Sequence, residues 1–456
     1  MNLGKYARPA VRVLTWFAII STSSIASAEW KENVLYSFQG GTDGATPAGG
    51  VVFDKQGNLY GATQQGGGSN CSPMAACGTV YQLAPPAKQG DPWTETVLHV
   101  FQGKQSNDGE FPSGGVIADT LGNIYGTTAY GGTGDCVLLG IKGGCGTVFE
   151  LSPPQTRGGE WTYTILYSFP TAKEGYVPNG DLVFDSAGNL YGATIFGGGR
   201  GTTCDGFYGG NCGAVFELNP PKTKGDKWTE KVLHSFAGGT DGANPNGGLV
   251  LDTEGAVYGT TSAGGSTDCQ GPGCGTAFEL KPPTKTDGTW KENLLHVFTD
   301  GDDGAGPNGS LVFDAKGALY GTGGGGGSKS QGVVFQFAKA KNSNKWIETV
   351  LHRFSAIGDA PCCPMAKVTF DGTGSLYSVS LSGTYFRGTA FRLRPPAAGG
   401  SPWSFAILYE FKGVPDAAYP EAGLIFNKAG KLYSTTEGGG TGTCSGGCGT
   451  VFEVSP

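Results

Sequence analysis

Histidine is almost missing from this chain: there are four in 456 residues. His99, His234, His296 and His352 all sit in one recurring run, L-H-x-F, where other copies of the run carry Tyr36, Tyr167 and Tyr409. A residue that trades places with tyrosine is an aromatic filler with a polar tip, not a general base or a metal ligand. Ser-His-Asp and Cys-His catalysis are thereby excluded, and no catalytic residue is assigned. Charge is also sparse, at 15% of residues, and the balance is acidic, with a formal net charge of −7. This argues against nucleic acid or an anionic membrane as a partner. Beyond residue 28 no apolar run approaches the roughly 20 residues that a spanning helix needs, so no membrane span is expected. The Gly-x-Gly strings lie in glycine-rich loops without βα context, which removes the P-loop and the dinucleotide fingerprint.

What is abundant is glycine, 83 residues, and it falls at fixed points of a repeat rather than in tracts. Trp30, Trp93, Trp161, Trp228, Trp290, Trp346 and Trp403 each open a unit of about 60 residues. Each unit holds a Trp-led run ending in Phe, then a run such as Gly49–Gly61 (G-G-V-V-F-D-x-x-G-N-L-Y-G), then one such as Cys77–Pro86. Four short β-type runs per unit, joined by turns, predict an all-β fold: a seven-bladed β-propeller with four antiparallel strands per blade. In the third unit Asp185 and Gly188 supply the turn chemistry of a hairpin, and Pro220-Pro221 ends the following strand for want of an N–H. If the Trp-led run is the outermost strand, the chain begins with an outer strand and ends with three inner ones, so both termini complete the last blade. Residues 29–456 are then a single domain.

The G-L-V-F-D-x-x-G-N-L-Y portion resembles the start of an NHL-type propeller blade. N-L-Y-G-T/A-T followed by a glycine-rich loop and C-G-T-V-F-E-L, at Asn58–Leu83, Asn123–Leu151 and Asn189–Leu218, resembles the extracellular tandem-repeat proteins known as GloVer-containing proteins. That resemblance covers nearly the whole chain. It implies a secreted or surface location and brings no established activity, so it assigns no catalytic residue.

Residues 1–28 read as a secretory signal peptide: Lys5, Arg8 and Arg12, then the apolar Val13–Ile20, then Ala26-Ser27-Ala28. Its cleavage removes three basic residues and leaves a more acidic chain. With no anchor pattern after the last strand, the mature protein is expected to be released, extracellular or periplasmic.

Twelve cysteines in an exported protein should be oxidised. Ten fall as pairs in the same glycine-rich loop: Cys71/Cys77, Cys136/Cys145, Cys204/Cys212, Cys269/Cys274 and Cys444/Cys448. The fifth and sixth units lack both members, and partners that vanish together are bonded to each other. Zinc needs four ligands per site, so no metal is expected at these loops. Cys362 and Cys363 are adjacent, which leaves a vicinal disulfide or pairing with another chain.

One constellation has the look of a site. Asp43, Asp108, Glu174, Asp241, Asp303 and Asp416 each stand four residues before a proline, and Asp359 stands five before Pro364. A ring of carboxylates around a channel would take Ca²⁺ or a cationic or polyhydroxy ligand, whereas D-G-A-x-P is also a turn in which Asp caps the backbone. Apart from Ca²⁺ there, no cofactor is expected. The leading functional expectation is a secreted, non-catalytic binding module for glycans or a surface protein. The alternatives are a carboxylate-based, metal-assisted hydrolase or lyase acting on carbohydrate or peptide, and a structural envelope or matrix protein. An enzyme should break the repeat symmetry at a few polar positions facing the channel, and a scaffold should not.

Overall fold

A computed structural model describes residues 29–456 apart from 69–76, 89, 139–140, 157, 200–203, 205–211, 224, 267–268, 270–271, 285–287, 328, 344, 356–360 and 398–401. The proposed signal peptide therefore lies outside the described residues. Seven antiparallel sheets are arranged as blades in a ring. In the third blade the strands run Tyr176–Phe184, Leu190–Phe196, Ala214–Asn219 and Thr229–Ser235, neighbour to neighbour in chain order. The last blade takes its outer strand from the start of the domain. Lys31–Ser37 pairs with Thr450–Ser455, from Lys31↔Ser455 to Ser37↔Thr450. This closure removes the open edge that a linear array of sheets would expose.

The hairpin turn works as the sequence implies. Asp185 Oδ1 accepts the backbone N–H of Ala187 at 2.8 Å and of Asn189 at 2.9 Å, while Gly188 takes φ 87°. Asp54, Asp119, Asp252, Asp314 and Asp371 do the same in their own blades. The Phe that ends each outer strand is buried against an aromatic of the third strand, as in Phe38–Tyr81 and Phe169–Phe216, with centroids 5.0 and 5.2 Å apart. The opening tryptophans stitch neighbouring blades: Trp93 packs on Tyr433, Trp161 on Tyr60 and Trp290 on Tyr191. Packing is thus mostly within a blade or to the next one, which is how a repeat fold accumulates its core.

The loop disulfides form as paired: Cys136–Cys145, Cys204–Cys212, Cys269–Cys274 and Cys444–Cys448, with Cα atoms 5.0 to 5.3 Å apart. Cys77 is also disulfide-bonded, and Cys71 lies outside the described residues. Cys362 and Cys363 are bonded to each other. Among the described residues no helix is long and apolar enough to cross a membrane. The disulfides fit an extracellular or periplasmic protein.

Candidate functional site at the channel mouth

The innermost strands converge on the axis at a pair of residues that is Gly-Gly in three of the seven blades, and the reason is space. A Cβ on Gly114 would lie 2.3 Å from the carbonyl oxygen of Gly180 in the next blade, and one on Gly49 would lie 2.2 Å from the amide nitrogen of Gly115. Around this ring a cavity of about 150 Å³ opens. Its walls come from equivalent positions of all seven units, so departures from the repeat can be read directly from the wall.

Two departures meet. The second glycine of the pair is Gly50, Gly115, Gly248 and Gly423 in four blades, Ser310 in the fifth, Asp181 in the third and Lys367 in the sixth. Lys367 Nζ donates to Asp181 Oδ2 at 3.0 Å across the channel, and Asp181 Oδ1 accepts the N–H of Gly115 at 2.9 Å. The side chains are 32% and 27% exposed. Burial pushes the Asp181 carboxyl up, but the Lys367 ammonium outweighs it and holds it below the usual carboxylate range. The same Asp181 charge pushes Lys367 up, against the opposing effect of burial. The pair stays ionised near neutrality.

Above it the residue after each loop proline forms a second tier. Asn179 donates to the carbonyl of Asn246 at 3.1 Å, and Asn246 donates to Asn308 Oδ1 at 3.2 Å. In the seventh blade this position is the exposed Glu421, which lines the cavity together with the half-buried Glu437 of the adjoining strand. Burial first, and the Glu421 charge second, push the Glu437 carboxyl up to about 7. The Glu437 carboxyl, beside an arc of amides, is therefore half-protonated close to neutral pH. Such a pair can take a proton and return one.

The predicted acids lie elsewhere. None of the described ones lines this cavity. Each is turned into a blade interface, toward the aromatic of the preceding outer strand. Asp43 accepts from the Tyr36 hydroxyl at 3.1 Å and from the Gln39 N–H at 2.8 Å; Asp416 accepts from Tyr409 at 2.9 Å and from Lys412 N–H at 2.9 Å. Asp108 and Asp303 face His99 and His296 at 3.2 and 3.0 Å. Asp241 faces His234 at 3.4 Å, and Glu174 accepts from the Thr171 hydroxyl. Asp359 lies outside the described residues. Burial pushes Asp108 up, but hydrogen bonds from His99 and Tyr163 outweigh it and hold the carboxyl low. Loop N–H groups are thus capped by these acids, as the turn reading has it.

Sequence comparison of the units already contained the signal for Asp181 and Lys367, since both replace glycine. Glu421 and Glu437 were missed because neither belongs to a repeated motif. The vicinal Cys362–Cys363 bridge enters the site indirectly. Cys363 takes φ 62°, its N–H donates to the Gln331 carbonyl at 2.8 Å, and Lys367 follows four residues later. The bridge fixes the backbone that delivers the one channel-lining cation among the described residues.

A family model described as the Gloeobacter/Verrucomicrobia repeat matches residues 22–203 and 136–362. No curated relative matches the chain. Among solved structures, the PQQ-bound aldose sugar dehydrogenase of Streptomyces coelicolor is 15% identical, with 94% of this chain and 98% of that one covered and a TM-score of 0.42. A gluconolactonase of Xanthomonas campestris is 14% identical, covering 78% and 87%, at 0.39. An ulvan lyase of a polysaccharide lyase family is 10% identical, covering 92% and 95%, at 0.47. Likeness at this level shows the fold alone.

The expectation of a non-catalytic binding module is corrected by the channel itself. It breaks the repeat symmetry at polar positions, with Asp181, Lys367, Glu421 and Glu437. That asymmetry is what a scaffold does not require. The donor set does not fit PQQ, an anionic tricarboxylate. The channel offers it Lys367, already paired with Asp181, and two glutamates.

Proposed function

This chain belongs to the Gloeobacter/Verrucomicrobia repeat family, and we propose that it is a secreted, carboxylate-based lyase or hydrolase acting on extracellular carbohydrate at the mouth of the channel. The observation that carries this reading is that Glu421 and Glu437 line one asymmetric, amide-bearing opening together. Amides and carboxylates arranged in an arc suit a polyhydroxy substrate, because each hydroxyl both donates and accepts.

The raised Glu437 carboxyl, with the Glu421 charge beside it, suits proton transfer in an elimination. In a uronic-acid polymer, the ionised member of the pair removes the proton on the carbon beside the carboxylate. The glycosidic C–O bond then breaks, a C=C bond forms, and the leaving oxygen takes the proton held by the partner. No oxidant or water is consumed.

The test is incubation of the oxidised mature protein with uronic-acid and neutral polysaccharides at about pH 7, following unsaturated products by ultraviolet absorbance and new reducing ends in parallel. Unsaturated products whose rate falls by about 10²–10⁴ in Glu437→Gln support elimination. Reducing ends without unsaturation would assign hydrolysis instead. No product from any polymer, or an unchanged rate in the variant, overturns the proposal.

A further inference from the structure

Away from the channel, at the rim between the third and fourth blades, three ligating side chains converge. His234 comes from the outer strand of the third blade, Asp241 from the connecting loop, and Glu292 from Lys291–Val297, the outer strand of the fourth. One ligand atom from each lies within 4.8 Å of the other two. His234 Nε2 is 3.4 Å from Asp241 Oδ1 and 3.9 Å from Glu292 Oε1. Donor atoms around a tetrahedral ion with bonds of about 2.0–2.1 Å stand about 3.3–3.4 Å apart, so the cluster closes on an ion with small movements.

The hydrogen bonding points the same way. His234 Nε2 and Glu292 Oε1 are buried without a hydrogen-bond partner and lie within ligand spacing of one another; the equivalent Oε1 of Glu32, Glu95, Glu230 and Glu348 is orphaned too, so the unpaired histidine is what sets this interface apart. Asp241 uses its other oxygen, Oδ2, to accept the Ala237 N–H at 2.6 Å, which fixes the carboxylate and leaves Oδ1 turned inward. Leaving polar atoms unpaired is costly, and one ion would satisfy both.

The other units supply internal controls. At the next interface His296 Nε2 is already hydrogen-bonded to Asp303 at 3.0 Å, and the Thr299 hydroxyl takes the second Asp303 oxygen at 2.7 Å. Beside His99 the glutamate is replaced by Tyr163, whose ring stacks on the imidazole at 3.7 Å. Beside His352 it is replaced by Phe405, stacked at 4.3 Å. Where tyrosine stands for histidine, at Tyr36 and Tyr409, its hydroxyl satisfies the loop acid directly. Among the described residues His234, Asp241 and Glu292 form the cluster that meets ligand spacing.

We infer that His234, Asp241 and Glu292 bind a divalent transition-metal ion of the zinc class, clamping the third blade to the fourth. A nitrogen donor with two carboxylates, three protein ligands in all, suits such an ion, whereas Ca²⁺ takes six to eight oxygens. The fourth position is left to water. This site is independent of the channel chemistry.

The experiment is equilibration of the untagged, oxidised protein with Zn²⁺, removal of free ion, and measurement of bound metal, with Co²⁺ substituted to read coordination from its visible spectrum. One retained equivalent, a tetrahedral Co²⁺ spectrum and a raised Tm that a chelator reverses are expected. His234→Tyr restores the residue found at this position in other units, so it keeps the fold while losing the ion; Glu292→Gln weakens retention. No metal retained by the unmodified protein, or equal retention in His234→Tyr with an unchanged circular dichroism spectrum, overturns the inference. Loss of the ion in His296→Tyr but not in His234→Tyr does the same.

Discussion

Lys367 and Asp181 occupy the same position of the repeat, three blades apart, and their side chains meet at 3.0 Å across the central channel. Four of the seven units place glycine there. An ion pair at the axis therefore replaces close backbone packing with charge, and ties the third blade to the sixth across the channel.

Removing one member of this pair should cost more than removing both. Asp181→Asn leaves a lysine in the channel without its counter-charge, and a loss of about 1–2 kcal/mol is expected, reduced from the fully buried case because channel water screens the ammonium. Asp181→Asn combined with Lys367→Met should recover most of that loss. A double-mutant cycle by urea denaturation measures the coupling.

At the other side of the mouth, the Glu421 charge adds to burial in raising Glu437. Glu421→Gln removes that charge and should shift the titration of Glu437 downward from about 7, but only part of the way to the ordinary range, since burial is the larger cause. The pH–rate profile, or the carboxyl resonance of Glu437 followed by NMR, reads the shift. A profile that moves upward would contradict the pairing.

Stability should fall with rising pH above the carboxylate range. Burial pushes Glu95, Glu230 and Glu348 up to about 7, with Asp43, Glu174 and Asp303 as added causes, and pushes Glu32 up to about 9, with Asp416 adding to it. A carboxyl whose folded value exceeds its unfolded one contributes stability that is complete below the unfolded value of 4.5 and is lost as pH rises through the folded value. Tm should drop by a few degrees between about pH 5 and about pH 8. Glu95→Gln and Glu348→Gln should flatten that slope. Asp108 and Asp371, both held low, act with the opposite sign and set the acid limb below 3.8.

Glycines at the axis and in the hairpin turns differ in tolerance. Gly114→Ala drives a methyl to 2.3 Å from Gly180 oxygen, on backbone that cannot step aside, and should cost about 1–3 kcal/mol or more. Gly372 lies in a hairpin turn with nothing within 4 Å and no positive φ, so Gly372→Ala should be neutral or slightly stabilising. Thermal denaturation of the two variants side by side makes the comparison.

The blade was legible in the sequence because its determinants are local. D-x-x-G turns, Pro-Pro strand ends and the Phe of each outer strand act within a few residues, and they recur often enough for the period to announce itself. The closure of the ring followed from the order of the runs alone. Cysteine pairing was legible for the same reason, since each bridge spans a single loop.

The site was not. Asp43 and its counterparts were read as a ring around the channel, yet Asp43, Asp108, Asp241, Asp303 and Asp416 turn into the blade interfaces, drawn by loop N–H groups and by Tyr36, Tyr409 or a histidine tip. Asp181 and Lys367 are separated by 186 residues, and Glu421 and Glu437 share no motif. His234 and Glu292 belong to runs whose copies elsewhere do something else. The sequence by itself determined the repeat, the strands and turns, the staples and the number of blades, all set by interactions within one unit. Which departures from the repeat face one another across the axis or a blade interface was decided by the closed ring, because curvature brings together side chains from units that never meet along the chain.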